Sequence, residues 1–204
     1  MEFNEFLKYF KTKPFIDSRI FSDLGDSKQL ILNQVNKWQK KELIFSLKRG
    51  LYLFSDVYKE YPDLNLVANT LVQPSYLSME YALGYYNLIP EAVFTYTSVT
   101  SKKTKQYRNK LGFFTYSHIT EKRFFGYRKE AKGFFIAEPE KALLDYIYFK
   151  TNITEIGKIY FQENLRLQNI ENISLSKIEN YGKKFNSSKI FKAIKELKKE
   201  WKKL

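Results

Sequence analysis

Residues 27–54 have the sequence SKQLILNQVNKWQKKELIFSLKRGLYLF, which decides the fold of the N-terminal part of the chain. Ser27 favours the N-cap position, because its hydroxyl can accept a hydrogen bond from a free backbone N–H of the first turn. The spacing after it predicts a helix from Lys28 to about Lys41. Its apolar residues fall on one side, which we expect to face the core: Leu30, Ile31, Val35 and Trp38.

The opposite side of this helix carries residue types that read DNA. At roughly 100° per residue it presents Gln29, Asn33, Asn36 and Lys40, with Lys37 beside them. Amides can pair with adenine edges in the major groove, and ammonium groups can contact phosphates. This mixture fits a recognition helix, although an ordinary surface helix also has a polar face.

A cationic hairpin is predicted directly after the helix. Residues 43–47 and 51–54 are two short strand-like runs, and Lys48, Arg49 and Gly50 join them. The hairpin tip therefore carries two positive charges, which favours contact with a nucleic-acid backbone.

Two helices are predicted before Gly25, one over residues 2–10 and a short one that ends at Leu24. Helices followed by a basic hairpin are typical of a winged helix-turn-helix. We therefore predict such a DNA-binding domain over residues 1–56. The residues expected to contact duplex DNA are Ser27, Lys28, Gln29, Asn33, Asn36, Lys37, Lys40, Lys48 and Arg49.

The composition restricts the chemistry that this chain can perform. Its 204 residues include no cysteine and a single histidine, His118. This argues against disulfides, thiolate zinc sites and cysteine nucleophiles, so we expect no catalytic residue, no metal site and no cofactor. His118 lies in an aromatic run without a catalytic constellation around it, and we interpret it as a packed or edge histidine.

The charge distribution favours a polyanionic partner. The net charge is +13, and nucleic acid is favoured over a membrane because the basic residues accompany foldable sequence. Residues 1–56 have ten Lys and Arg against seven Asp and Glu, whereas residues 177–204 have ten Lys against three Glu.

No leader-like segment precedes the first helix, and residues 64–79 are too polar to span a bilayer. We expect a cytoplasmic protein without a membrane partner.

A second domain is predicted over residues 61–204, after a polar linker that contains Pro62. Helices are expected before Pro74 and through Tyr86, and a further helix is expected to begin at Pro139. The strand-like runs between them are residues 93–100, 113–118, 124–128 and 134–137. The fold class is therefore α+β, with a small, mostly antiparallel sheet and a C-terminal helical segment.

The C-terminal helix, residues 188–204, is amphipathic and rich in lysine. Its apolar side is predicted to consist of Ile190, Phe191, Ile194, Leu197 and Trp201. The rest of its surface is a candidate second basic surface, which could contact a DNA backbone, bind RNA or only keep the helix soluble. The residues of this surface are Lys192, Lys195, Lys199 and Lys202.

Two other charged clusters allow more than one interpretation. Residues 101–110 form a basic run that is expected to be a loop, either in contact with nucleic acid or simply solvated. Glu138, Glu140 and Asp145 could perform acid–base or metal chemistry, but acids at the start of a helix favour its positive end, so we interpret them as capping residues. Lys141 and Asp145 have the i, i+4 spacing of a surface ion pair.

Several motifs in order carry a family resemblance. They are KRGLY at 48–52, PSYLS at 74–78, ALGYYNLIP at 82–90, TSVT at 97–100 and EPEKALLD at 138–145. Over about residues 15–149 the chain resembles the AbiEi family of bacterial antitoxins and transcriptional regulators.

The resemblance implies an N-terminal winged helix-turn-helix followed by an antitoxin domain. It implies repression of the protein's own operon through inverted repeats in double-stranded operator DNA. It also implies, in the type IV scheme, neutralisation of a nucleotidyltransferase toxin without a stable complex. Residues after about 153 show no motif of the family.

Two other functions remain open at the level of sequence. The aromatic-rich middle domain could neutralise a toxin by direct protein contact, with DNA binding secondary. A nucleic-acid-processing enzyme could use Glu138, Glu140 and Asp145. We expect a non-enzymatic repressor and antitoxin.

Overall fold

The computed structural model describes residues 1–157 and 159–201, and it has an α+β fold with two sheets. The first sheet has three antiparallel strands, and the second is a larger, mixed sheet of six strands. Within the described ranges, no helix is long and apolar enough to cross a membrane.

The N-terminal unit begins with a helix and ends with a hairpin, as the apolar spacing predicts. A two-residue strand, β1, was not predicted, and the short helix before Gly25 is a 3₁₀ helix, Ser18–Leu24. The regular elements are α1 (Phe3–Phe10), β1 (Ile16–Asp17), α2 (Lys28–Lys40), β2 (Ile44–Lys48) and β3 (Leu51–Phe54).

The strands of this unit have the order β1-β3-β2, with β3 in the centre. Their sheet packs against an aromatic core in which Phe6 stands at ring-centroid distances of 4.8 Å from Phe10 and 4.9 Å from Trp38. The prediction for Leu30 was wrong, because its side chain is 57% exposed whereas Ile31, Val35 and Trp38 are buried. Leu30 precedes Ile31 by one residue, which places it about 100° around the helix from Ile31 and therefore at the edge of the apolar face.

The central strand β3 is buried on both faces. Tyr52 and Phe54 belong to the N-terminal core, whereas Leu51 and Leu53 belong to the core of the following unit. Successive side chains of a strand point to opposite faces, so the continuous apolar run LYLF is what such a strand requires. The hairpin therefore lies between the two cores and holds the two units together.

The second unit contains the six-stranded sheet and the remaining long helices. The strand order is β6-β7-β5-β4-β9-β8. The elements are α3 (Leu64–Leu71), β4 (Ser75–Leu77), α4 (Met79–Tyr85), β5 (Thr95–Thr100), β6 (Lys105–Asn109), β7 (Gly112–His118), β8 (Tyr127–Lys129), β9 (Phe135–Ala137), α5 (Pro139–Lys150), α6 (Leu175–Phe185) and α7 (Ser188–Trp201).

The sheet was predicted to be small and mostly antiparallel; it is larger than that, with six strands, and its pairing is mixed. Strand β5 pairs with β7 in parallel, and β4 pairs with β9 in parallel, whereas the other pairings are antiparallel. The chain leaves β5 for the edge strand β6 and returns beside β5 as β7, so β5 and β7 have the same direction. The sequence did not indicate β4 or β6, because β4 has three residues and β6 is strongly polar.

Helix α5 lies in the middle of this unit, and its polar residues form a buried network. Lys141 and Asp145 form an ion pair whose two side chains are completely buried, so the prediction of a surface pair was wrong. Asp145 Oδ2 also accepts hydrogen bonds from Tyr76 (3.0 Å) and Ser78 (2.8 Å), and Lys141 Nζ donates to the Tyr76 hydroxyl at 2.7 Å. We call these four residues the buried polar network.

Burial controls the ionisation of this network. Loss of solvent lowers the pKa of Lys141 and raises the pKa of Asp145, because both charged forms are better solvated in water. The attraction between the two groups opposes these shifts. The hydrogen bonds from Tyr76 and Ser78 further favour the carboxylate. Each member therefore depends on the others to remain buried.

We expect Lys141→Met to lower the free energy of unfolding by about 3–5 kcal/mol, because it leaves Asp145 buried without its cation. The double variant Lys141→Met with Asp145→Leu should recover much of this loss, since it removes both charges. Urea unfolding measures both effects. A single variant as stable as wild type would contradict the role assigned to the ion pair.

Candidate nucleic-acid interface

The polar face of α2 is exposed to solvent along the helix. Gly25 ends the preceding 3₁₀ helix, and Ser27 Oγ caps α2 by accepting a hydrogen bond from the Leu30 N–H at 3.4 Å. The helix begins at Lys28, as its sequence predicts. All the predicted contact residues of α2 and its cap are exposed: Ser27, Lys28, Gln29, Asn33, Asn36, Lys37 and Lys40.

Two of the amides on this face are ordered by each other. Gln29 Nε2 donates a hydrogen bond to Asn33 Oδ1 at 3.1 Å, as residues four apart on a helix can do. The exposed Leu30 lies next to Gln29 and adds an apolar side chain of the kind that contacts a thymine methyl group. Its place at the margin of the apolar stripe is the sequence signal that could have identified it.

The hairpin tip differs from the prediction at Lys48. Its Nζ donates a hydrogen bond to the Leu71 carbonyl, at the end of α3, at 2.6 Å. Burial lowers the pKa of Lys48, and the positive charges of Lys105 and Arg19 lower it further. The ammonium group thus joins the two units, whereas the neighbouring Arg49 is exposed.

Gly50 allows the backbone of the hairpin tip to approach Ser18, the first residue of the 3₁₀ helix, closely. Its φ of +80° is a conformation that favours glycine, and a Cβ at this position would lie 2.7 Å from Ser18 Oγ. The Ser18 N–H donates to the Gly50 carbonyl at 2.9 Å. The tip is therefore fixed to its own unit as well as to α3.

A cleft of about 400 Å³ opens at the tip. Arg19, Lys48 and Arg49 line it, and Lys105 is near enough to affect the pKa of Lys48. Arg19 is 83% exposed and forms an ion pair with Asp17 at 2.5 Å. Sequence reasoning missed Arg19, which lies in a short helix. It included Lys105 only in the basic run at residues 101–110 and did not bring it to the hairpin tip, because this lysine comes from the other unit. We call this space the tip cleft.

The basic run at residues 101–110 was predicted to be a loop, but half of it is strand β6. Its residues pair with β7 in antiparallel register, for example Tyr107 with Phe114. Lys105 and Arg108 are exposed on this edge strand, and the Arg108 guanidinium lies 4.7 Å from the centre of the Phe113 ring. Charged side chains on an edge strand also discourage pairing with other chains.

The lysines of α7 are largely engaged within the protein. Lys192 Nζ donates to the Ile153 carbonyl at 2.7 Å, and Lys199 pairs with Glu196 at 2.7 Å. Lys195 is exposed, and Lys202 lies outside the described residues. Phe191, predicted to pack, is 46% exposed. The second basic surface therefore has fewer free charges than the sequence indicates.

Of the three acids at the start of α5, Glu138 and Glu140 share the ion-pair partner Lys177, and Asp145 has a different one, Lys141. Pro139 occupies the first turn as predicted, but Glu138 makes no side-chain cap hydrogen bond, and its carboxylate pairs with Lys177 at 2.9 Å. Glu140 Oε1 accepts a hydrogen bond from the Ser174 N–H at 2.9 Å, and Asp145 belongs to the buried polar network. Glu138 nevertheless occupies the N-cap position and Glu140 the first turn, as the capping interpretation predicts. That interpretation is wrong for Asp145, which belongs to the buried interior.

The described residues contain no side-chain cluster of the kind that the metal interpretation requires. Across residues 1–157 and 159–201, no three His, Asp or Glu side chains are grouped closely enough to hold a metal ion. His118 lies exposed at the end of β7, and its Nδ1 is 3.0 Å from the Lys102 carbonyl. Its surroundings are those of an edge residue.

Comparison with known proteins does not place the chain, because it matches neither a protein-family model nor a curated protein. The resemblance to the AbiEi family stays a prediction from the motifs.

We expect Lys48→Met to lower the free energy of unfolding by about 1.5 kcal/mol, because it removes a charge-assisted hydrogen bond to the Leu71 carbonyl. Lys37→Met on the exposed face of α2 is the matched control and should leave stability within about 0.5 kcal/mol of wild type. Urea unfolding of the two variants provides the comparison. Equal stability of both would show that Lys48 does not join the units.

Proposed function

We propose that residues 1–56 form a winged helix-turn-helix and that the protein is a sequence-specific DNA-binding repressor. The observation that carries this proposal is the exposed polar face of α2, which stands directly before a hairpin with an exposed arginine. Helix α2 has the place of a recognition helix in the order of elements, and β2 and β3 have the place of the wing.

The residues divide into two roles. Gln29, Asn33 and Asn36 read base edges, and the hydrogen bond between Gln29 and Asn33 orders two of these amides before DNA binds. The phosphate contacts are proposed for the exposed cations Lys28, Lys37, Lys40 and Arg49. Lys48 is not among them, because the Leu71 carbonyl holds its ammonium group.

The regulatory role follows the family resemblance. We propose that the protein represses its own operon through inverted repeats in the cytoplasm, and that it opposes a nucleotidyltransferase toxin without catalysis and without a stable complex. Glu138 and Glu140 share Lys177, whereas Asp145 is paired with Lys141 in the buried polar network. This division supports a non-enzymatic role, because the enzyme hypothesis needs the three acids at one site.

A second candidate function, neutralisation by direct contact with the toxin, is favoured by Phe94. This side chain is 86% exposed at the border of a groove of about 750 Å³. A large exposed aromatic beside a groove is typical of a protein contact. Co-purification decides between the candidates, because only direct contact predicts a stable stoichiometric complex with the neighbouring gene product.

We expect Asn33→Ala to weaken binding to the protein's own promoter by about 1–3 kcal/mol while leaving random DNA unaffected, because an amide that reads a base gives discrimination. Asn4→Ala, an exposed amide of the N-terminal unit outside the proposed interface, is the control. Fluorescence anisotropy with promoter and random duplexes measures both. Equal losses on the two duplexes would contradict base reading by Asn33.

The salt dependence of promoter binding tests the phosphate contacts. If four phosphates are neutralised, log K should fall against log salt with a slope of roughly −3.6. Lys40→Ala should reduce the slope by roughly one contact, whereas Lys8→Ala on the exposed side of α1 should not change it. A flat salt dependence for the wild-type protein would exclude the proposed binding mode.

A further inference from the structure

A second pocket, of about 520 Å³, lies between α3, Lys102 and the strands β8 and β9. Three aromatic side chains line it: Phe124, Tyr127 and Phe135. Phe135 is 38% exposed, and its ring stands nearly perpendicular to Tyr127, at 85° and a centroid distance of 5.9 Å. We call this space the aromatic pocket. Its walls can hold a planar ring by stacking.

Tyr127, one wall of the pocket, is held in place by its contact with Tyr76 of the buried polar network. Tyr127 stacks on Tyr76 with a centroid distance of 4.7 Å and an interplanar angle of 13°. The Tyr76 hydroxyl in turn lies between Lys141 and Asp145, which hold it through two hydrogen bonds. A ring that is already held in place loses little conformational freedom when a ligand stacks nearby.

A buried amide, Asn69, supports the wall of the aromatic pocket. Asn69 is only 6% exposed, and its Oδ1 accepts a hydrogen bond from the Phe135 N–H, which fixes the orientation of the amide. Its Nδ2 has no hydrogen-bond partner in the part of the chain that the structure describes. This nitrogen has almost no accessible surface, so a ligand in the pocket cannot reach it. The role of Asn69 is to hold the Phe135 backbone in the pocket wall through its Oδ1.

Positive charge adjoins the aromatic pocket on two sides. Lys102 is exposed at its border. The tip cleft is lined by Arg49, by Arg19 and by Asp17, the ion-pair partner of Arg19, and it shares the lining residues Thr70 and Gln73 with the pocket. An anionic group attached to a ring in the aromatic pocket can therefore reach cations without leaving the surface.

We infer that the aromatic pocket and the tip cleft together bind a nucleoside phosphate. The base stacks in the aromatic pocket, and the phosphate groups contact Lys102 or the arginines of the tip cleft. A nucleoside phosphate joins a planar ring to an anion, which is the combination that these two spaces present. This site goes beyond the proposed DNA-binding function and uses none of the residues of α2.

Isothermal titration calorimetry of the full chain at low salt tests this inference, with ATP, GTP, CTP and UTP as separate probes. At least one should bind, and Phe135→Ala should weaken it on the order of tenfold, the effect of losing one stacking aromatic. Phe191→Ala, a similarly exposed phenylalanine on α7, is the matched control and should bind as wild type does. Lys102→Glu should also weaken binding, and more strongly at low salt than at high salt.

Two further probes separate the parts of the site. Inorganic triphosphate should bind more weakly than the preferred nucleotide. The protein should not bind an oligothymidine while failing to bind all four nucleotides. Binding of none of the four nucleotides, equal binding of inorganic triphosphate, or binding of the oligonucleotide alone would overturn the inference.

Promoter binding and thermal unfolding of Phe135→Ala should match wild type, so that a loss of fold is distinguished from a loss of the pocket. An unchanged affinity in a folded Phe135→Ala variant would also overturn it.

Discussion

Burial of β3 on both of its faces is the constraint on which the rest of the molecule depends. Alternate side chains of this strand complete two different cores, so neither core can form fully without the hairpin. The Lys48 contact with the Leu71 carbonyl fastens the same hairpin at its tip. The direction in which α2 presents its polar face is therefore set by the second unit as well as by the first.

The buried polar network has a different physical character from the hairpin. Small displacements of side chains cost little in apolar packing. They cost more in a buried ion pair, because a broken hydrogen bond there leaves a polar group without a partner and without water. The network connects α5 to β4 through Tyr76 and Ser78, and through Tyr76 it positions Tyr127. Part of the surface is thus ordered by electrostatics in the interior.

The sequence predicted the elements whose side chains repeat with a clear period. Helix α2, its serine cap and the β2–β3 hairpin are confirmed, because amphipathic spacing and turn chemistry are local properties. The strands β4 and β6 and the burial of Lys141 could not be predicted, since they depend on partners distant in sequence. The same reason explains Lys48, whose charge suggests solvent although its hydrogen-bond acceptor lies 23 residues away.

The shared hairpin also limits how this chain can be rearranged in evolution or by engineering. A crossover near residue 56 would give one fragment a sheet with an uncovered apolar side and leave the other with a gap in its core. Exchange of residues 1–56 between relatives would therefore require the residues that cover Leu51 and Leu53 to be exchanged with them. The unit that can be inherited intact is larger than residues 1–56, and its boundary lies inside the second core.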